Sequence, residues 1–319
     1  MSSLLARFAE NAFWMARYVE RVENLARILD VNETFARDAH GVQEWRPILR
    51  LHSDEEVFFE HYKVADAKSV VRFYTIDRRN PNCIVNAIHG ARENARSLRH
   101  LISLETWTQI NTFWNWAADL RAHDLSLNNL SRLCSQIKEG CELHTGIARN
   151  TMYRDQVWLF YQLGELIERC DQTTRLVDIK YHALTPLTES AGSPVDVGQW
   201  NALLRSVAGY HGYRRIFPRQ MTPATVSRFI LFDPHFPRSM TFCVGDIREL
   251  IHDLLNQEEL AQAKFPMFAV NALEKMRYPK HSDIEPAKMH AFLDDVQVKL
   301  MDLTKDIDTV FFQSETRAA

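Results

Sequence analysis

The sequence predicts an all-α protein, and three observations carry that prediction. Only 10 of the 319 residues are Gly and 11 are Pro, well under the share an average chain carries. Apolar residues recur in steps of three and four along most of the chain, and no stretch alternates with period two. An all-β sandwich or barrel, with many short strands and turns, would need far more of both breakers.

The first helix is expected over about Ser3 to Arg37, where Phe8, Ala12, Met15, Val19, Val22, Ala26 and Leu29 form a seam. Trp14, Tyr18, Leu25 and Ile28 fall on its other side, so this helix should be embedded among others. Shorter helices fit Trp45 to His52, Asp54 to Tyr62 and Asp66 to Tyr74. A corner follows at Asp77 to Pro81, because Pro can open a helix but not continue one. Helical patterning resumes at Asn82 to Leu101, Leu104 to Leu120, Leu125 to Arg149 and Arg154 to Tyr181. Pro186, Gly192 and Pro194 mark residues 184–197 as a linker between a first helical part, 1–183, and a second, 198–319, within one compact unit. The second part should hold helices at Gly198 to His211, Pro223 to Leu231, Arg238 to Asn256, Phe265 to Arg277 and Pro286 to Gln313.

An internal repeat is visible in two blocks. Tyr18 to Val31 aligns with Leu166 to Ile179 at an offset of 148, matching Glu20, Arg21, Arg27 and Asp30 to Glu168, Arg169, Arg175 and Asp178. The second repeat thus starts at about residue 154. Val70 to Leu98 aligns with Val226 to Leu254 at an offset of 156, matching Arg72, Asp77, Pro81, Arg92 and Glu93 to Arg228, Asp233, Pro237, Arg248 and Glu249. A duplication about a pseudo-twofold axis is the expected origin, with a site or partner groove where the halves meet.

Lys plus Arg, 38 residues, against 41 Asp plus Glu gives a net charge of −3, without the basic excess of a nucleic-acid binder. Cys83, Cys134, Cys141, Cys170 and Cys243 are scattered and never spaced as C-x-x-C, so reduced buried thiols are expected. Arg7 and Glu10 interrupt any apolar leader, and the uncharged run Thr106 to Ala118 is too short to span a bilayer, so no membrane partner and a cytoplasmic location are expected.

The chemistry-bearing candidates are charged. Glu20, Arg21, Glu23, Asn24 and Arg27 lie beside the apolar seam, where shielded charges require partners. Glu168, Arg169, Asp171 and Arg175 repeat them, and Arg92, Glu93 and Asn94, with Arg248 and Glu249, are the expected partners. Two readings stand open: ion pairs that set helix register, or a cleft whose arginines grip a carboxylate or phosphate while carboxylates accept from an amine. A dimetal bundle needs Glu-x-x-His on two helices, and only Glu249 and His252 supply it, which leaves them weak metal candidates. His89, four residues before Glu93, reads as a surface or core residue, the Trp107, Trp114 and Trp116 group as core, and Tyr213, Arg214, Arg215 and Arg219 as a basic loop. Walker A, G-x-G-x-x-G and G-x-S-x-G signatures are absent from the sequence.

Three motifs together, Trp14-x-x-Arg17-Tyr18-x-Glu20-Arg21-x-Glu23-Asn24, Ala91-Arg92-Glu93-Asn94-Ala95-Arg96 and Phe229 to Ser239, resemble the bacterial alpha-E domain family over nearly the whole chain. That resemblance implies an all-helical fold and a genetic neighbourhood containing a circularly permuted ATP-grasp protein, often with a transglutaminase-like protease. It implies an accessory or acceptor-binding subunit of an amide- or peptide-ligating system acting on a small molecule or peptide. ATP and Mg would then sit on the ATP-grasp partner, with no cofactor in this chain. The alternative is a stand-alone carboxylate-site enzyme, metal-dependent or acid–base.

Overall fold

In a computed structural model, the structure describes residues 6–38, 45–184, 194–257, 260, 263–279 and 286–313. These form fourteen α-helices and, among the described residues, no strand. Two long helices organise the rest: α1 (Ala6–Asp38) and α8 (Gln156–Leu184) pack along each other. Around α1 lie α5 (Ile84–Ser97), α7 (Leu127–Thr151) and α9 (Pro194–Ser206); around α8 lie α12 (Met240–Leu255) and α14 (Pro286–Ile307). α2 (Arg46–Leu51), α3 (Glu55–Phe59), α4 (Ala67–Thr75), α6 (Leu104–Ala118), α10 (Tyr210–Ile216), α11 (Pro223–Phe232) and α13 (Phe268–Met276) complete the shell. The embedding expected for α1 is present, with Phe13, Leu25 and Ile28 buried as well as the seam residues Ala12, Met15 and Leu29.

The central pair is close because of a glycine. A Cβ on Gly164 of α8 would stand 2.2 Å from the carbonyl oxygen of Phe13 on α1, so a side chain there must push the two helices apart. Gly164→Ala is expected to destabilise by about 1–3 kcal/mol, the usual cost of overpacking, in a urea titration; an unchanged midpoint would show that the pair can separate freely.

The corners differ from expectation in one detail. α5 and α12 start at Ile84 and Met240, two residues after the expected Asn82 and Arg238, because side chains further on cap them. The Cys83 Sγ accepts from the Asn86 N–H at 3.4 Å and the Ser239 Oγ from the Phe242 N–H at 3.0 Å. The preceding helices also start alike, with capping boxes at Asp66/Ser69 and Thr222/Thr225. All of these pairs fall at the offset of the second aligned block.

α9 begins at Pro194, four residues before the expected start, and most of the expected linker, residues 185–193, lies outside the described residues. The helix expected to run to His211 ends at Ser206, because Ala208 takes a left-handed φ of 57° and the Gly209 N–H closes onto the Leu204 carbonyl at 2.7 Å. The expected basic loop is therefore partly helical, as α10, with Arg214 and Arg215 exposed and Tyr213 buried in the core. At the far end α14 passes into a π-helical turn, Asp308–Phe312, whose Phe312 ring lies 5.5 Å from that of Phe13. The three tryptophans of α6 are half-buried at the core edge, and arginines stack on two of them: Arg92 and Arg99 on Trp107, and Arg78 on Trp114. All five cysteines are free and buried. Among the described residues no helix is long and apolar enough to cross a membrane.

Candidate functional site: an arginine–carboxylate lattice with an adjoining cleft

Positions on α1 that face α8 carry the charged motif, and α8 answers with its own copy. Glu20, 3% exposed, accepts from Arg169 Nε and Nη2 at 3.1 and 2.7 Å, from Arg238 Nη1 at 2.7 Å and from Asn24 Nδ2 at 2.9 Å. Glu168, fully buried, accepts from Arg17 Nε at 2.8 Å, from Arg21 Nε and Nη2 at 2.7 and 3.0 Å, and from Gln172 Nε2 at 3.2 Å. The contacts are reciprocal: Glu20 binds Arg169, and Glu168 binds Arg21. Local pairs repeat too, Arg27 with Glu23 at 2.8 Å and Arg175 with Asp171 at 2.9 Å.

Other groups extend the lattice. Arg238, in the corner before α12, also donates to Glu23 and, at 2.9 Å, to Asn24 Oδ1. Glu165 holds Arg169 and Arg149, and Glu142 of α7 shares the Arg27 Nη2 with Glu23, at 2.7 Å. Burial drives the Glu20 carboxyl upward, but Arg169 and Arg238 more than offset it and bring it down to about 2. Burial opposes ionisation of Glu168 as well, and Arg21 and Arg17 hold it well below the usual carboxylate range. A carboxylate so held is a poor base, has no proton to give at neutral pH, and would have to shed arginines to bind a metal.

The residues expected to partner α1 do not reach it. α5 turns Ile84, Ala87, Ala91 and Ala95 inward, so Arg92, Glu93 and Asn94, rotated by about 100° per residue, lie at its half-buried flank. There Arg92 bonds Asn111 at 2.9 Å and Glu93 at 2.6 Å, while His89 stands exposed 3.9 Å from Glu93. On α12, Arg248 faces Glu274 of α13 at 3.6 Å, and Glu249 and His252 are exposed. Among the described residues the group close enough to share an ion is Asp178, His290 and Asp294, not Glu249 and His252. The charged faces of two helices converge, not those of four.

Sequence reasoning missed Arg17, Glu165 and Arg238 as members of the lattice. Arg17 and Arg238 both stand within the motifs that carry the family resemblance, but no role follows for either from the sequence. The Arg238 signal was its place directly after Pro237, where the chain turns back toward α1.

Two clefts open along the α8 edge of the lattice and share Asp171 and Arg175. One, of about 400 Å³, is lined by Phe13, Trp14, Arg17, Met301 and Lys305 among others. The second, of about 260 Å³, lies between α1, α8 and the α2–α3 and α4–α5 connections, with Arg21, His52, Asn82, Glu168 and Gln172 on its wall. Burial, then the charges of Arg21 and Arg175, lower His52 to about 4, so its ring is neutral at neutral pH. The His52 Nε2 and the Gln172 Oε1 are buried with no hydrogen-bond partner.

The family model of Alpha-E, described as a predicted alpha-helical domain with a conserved ER motif, matches residues 4–312. This chain has two Glu-Arg dipeptides, Glu20-Arg21 and Glu168-Arg169, and they are the reciprocal pairs at the centre of the lattice. Proteins described as uncharacterized from Mycobacterium bovis and from two strains of Mycobacterium tuberculosis are 25% identical over 268 residues, covering 78% of this chain. The match spans 30% of the length of each of those relatives. No solved structure matches the chain. With nearly every residue covered by the family model and both Glu-Arg dipeptides at the helix junction, the chain belongs to the Alpha-E family.

Proposed function

We propose that this chain is an accessory helical subunit of an amide- or peptide-ligating system, working in the cytoplasm beside a circularly permuted ATP-grasp protein. The lattice fixes the register of α1 against α8 and so keeps the cleft edges and outer faces rigid for a partner and an acceptor molecule. The observation that carries this reading is that Glu20 and Glu168 are each gripped by two arginines, which suits a fastening better than acid–base or metal chemistry. The ligase setting comes from what the family resemblance implies; ATP and Mg belong to the partner, and a transglutaminase-like protease is a second candidate partner.

Co-expression with the ATP-grasp protein followed by size exclusion tests the proposal. Co-elution is expected, together with slower ligation when this chain is withheld. A partner that ligates at full rate alone and never co-elutes would exclude the accessory role.

A further inference from the structure

The α1 and α8 sides of the lattice match at Glu20/Glu168, Glu23/Asp171, Asn24/Gln172 and Arg27/Arg175, and differ at Arg17, whose counterpart is Glu165, and at their corners. Asn24 donates to Glu20 at 2.9 Å as Gln172 donates to Glu168 at 3.2 Å, and Arg27 holds Glu23 as Arg175 holds Asp171. On the α1 side the residue after Pro237 is Arg238, whose guanidinium bonds Glu20, Glu23 and Asn24 Oδ1. On the α8 side the residue after Pro81 is Asn82, which is shorter and uncharged and accepts from Arg21 Nη1 at 3.1 Å.

The counterparts of the three Arg238 acceptors, Glu168, Asp171 and Gln172, all line the cleft of about 260 Å³, as does Asn82 itself. Gln172 is 7% exposed, and its Oε1, the counterpart of the Asn24 oxygen that Arg238 satisfies, has no partner. Its amide orientation is set by chemistry, since the Glu168 carboxylate must receive the NH₂ end. A buried acceptor left in this way costs about 1–3 kcal/mol, so a donor entering the cleft is favoured.

The charges refine the choice. Arg21 and Arg175 balance Glu168 and Asp171 on the cleft wall, His52 is neutral, and Arg17 grips Glu168 from behind. A bare cation would therefore add to an existing positive excess. A ligand that brings its own carboxylate avoids this, and Arg175, bonded to Asp171 through Nε and lining the same cleft, is placed to receive it.

We propose that this cleft binds a small zwitterion: a guanidinium or ammonium head donates to Gln172 Oε1 and Asp171, in the role Arg238 plays on the other side, and a carboxylate meets Arg175. The site stands on the geometry of the cleft and holds whether or not the ligase setting is right.

Isothermal titration of the purified chain at low ionic strength tests it with 4-guanidinobutyrate and 4-aminobutyrate, which also separate the two cationic heads. Butylguanidinium and butyrate carry one charge each. At least one zwitterion should bind saturably, about tenfold or more tighter than either single-charge analogue. Asn82→Arg, which supplies the head group from the protein itself, should abolish binding while the protein melts at or above the wild-type temperature. Gln172→Leu should weaken binding by about tenfold, and it decides the matter if Asn82→Arg does not fold. Three results would overturn the site: no saturable heat from either zwitterion up to about 10 mM, weaker than most metabolite sites; a single-charge analogue binding as tightly; or wild-type affinity in a folded Asn82→Arg variant.

Discussion

Glu168→Gln is expected to lower the unfolding free energy by about 3–5 kcal/mol, the cost of removing one member of a buried ion-pair cluster. Glu168 is fully buried and is the shared acceptor of Arg17 and Arg21. A neutral amide offers those arginines a single oxygen and turns an NH₂ group toward donors. Its effect should exceed that of Arg92→Ala, whose side chain is half-buried beside Trp107. Urea unfolding of Glu168→Gln, Arg21→Gln and the double variant measures the pair directly, with an expected coupling of about 1–3 kcal/mol. A loss under about 1 kcal/mol for Glu168→Gln would mean that apolar packing alone holds α1 on α8. The lattice need not raise net stability above that of a well-packed apolar seam, since desolvating so many charges is costly. What it does is penalise every other register.

Acidification is expected to destabilise the chain in two stages. His52 and His144 are each lowered by burial to about 4 from 6.5, so they stay neutral in the fold while the unfolded chain takes up protons first. Their contribution is whole above pH 6.5 and drains as pH falls toward 4. Glu20 is depressed from 4.5 to about 2, so its contribution is whole above pH 4.5 and drains between there and 2. Each group is worth about 3 kcal/mol at most over its window. Unfolding free energies from urea titrations between pH 8 and pH 3 would trace the two slopes, and His144→Gln should flatten the upper one. Stability that stays level from pH 7 to pH 5 would contradict the buried neutral histidines.

Much of the fold was legible because helix formation here is a local matter. The seam of α1 and breakers such as Pro81 and Pro194 each act within a turn or two of chain. Boundaries went astray where a nonlocal or backbone choice intervened, as at Ala208, whose left-handed φ no residue type announces. The site was half legible. The members of the lattice on α1 and α8 were found because they recur at a fixed offset, but their partners were assigned to α5 and α12. Which flank of those helices faces inward depends on the packing of Ala91, Ala95 and Ile247, which spacing within one helix does not reveal.

From the sequence alone come the helical class, the repeated Glu-Arg motif, the free cysteines and the need for charge partners beside an apolar seam, since periodicity and residue chemistry are properties of the chain itself. Only the tertiary structure decided that the two Glu-Arg dipeptides bind each other, that Arg238 closes one side, and that Asn82 leaves the other side as a cleft. Those outcomes depend on which helices lie within about 3 Å of each other's side chains, a distance set by the close approach at Gly164 and by two corners far apart in sequence.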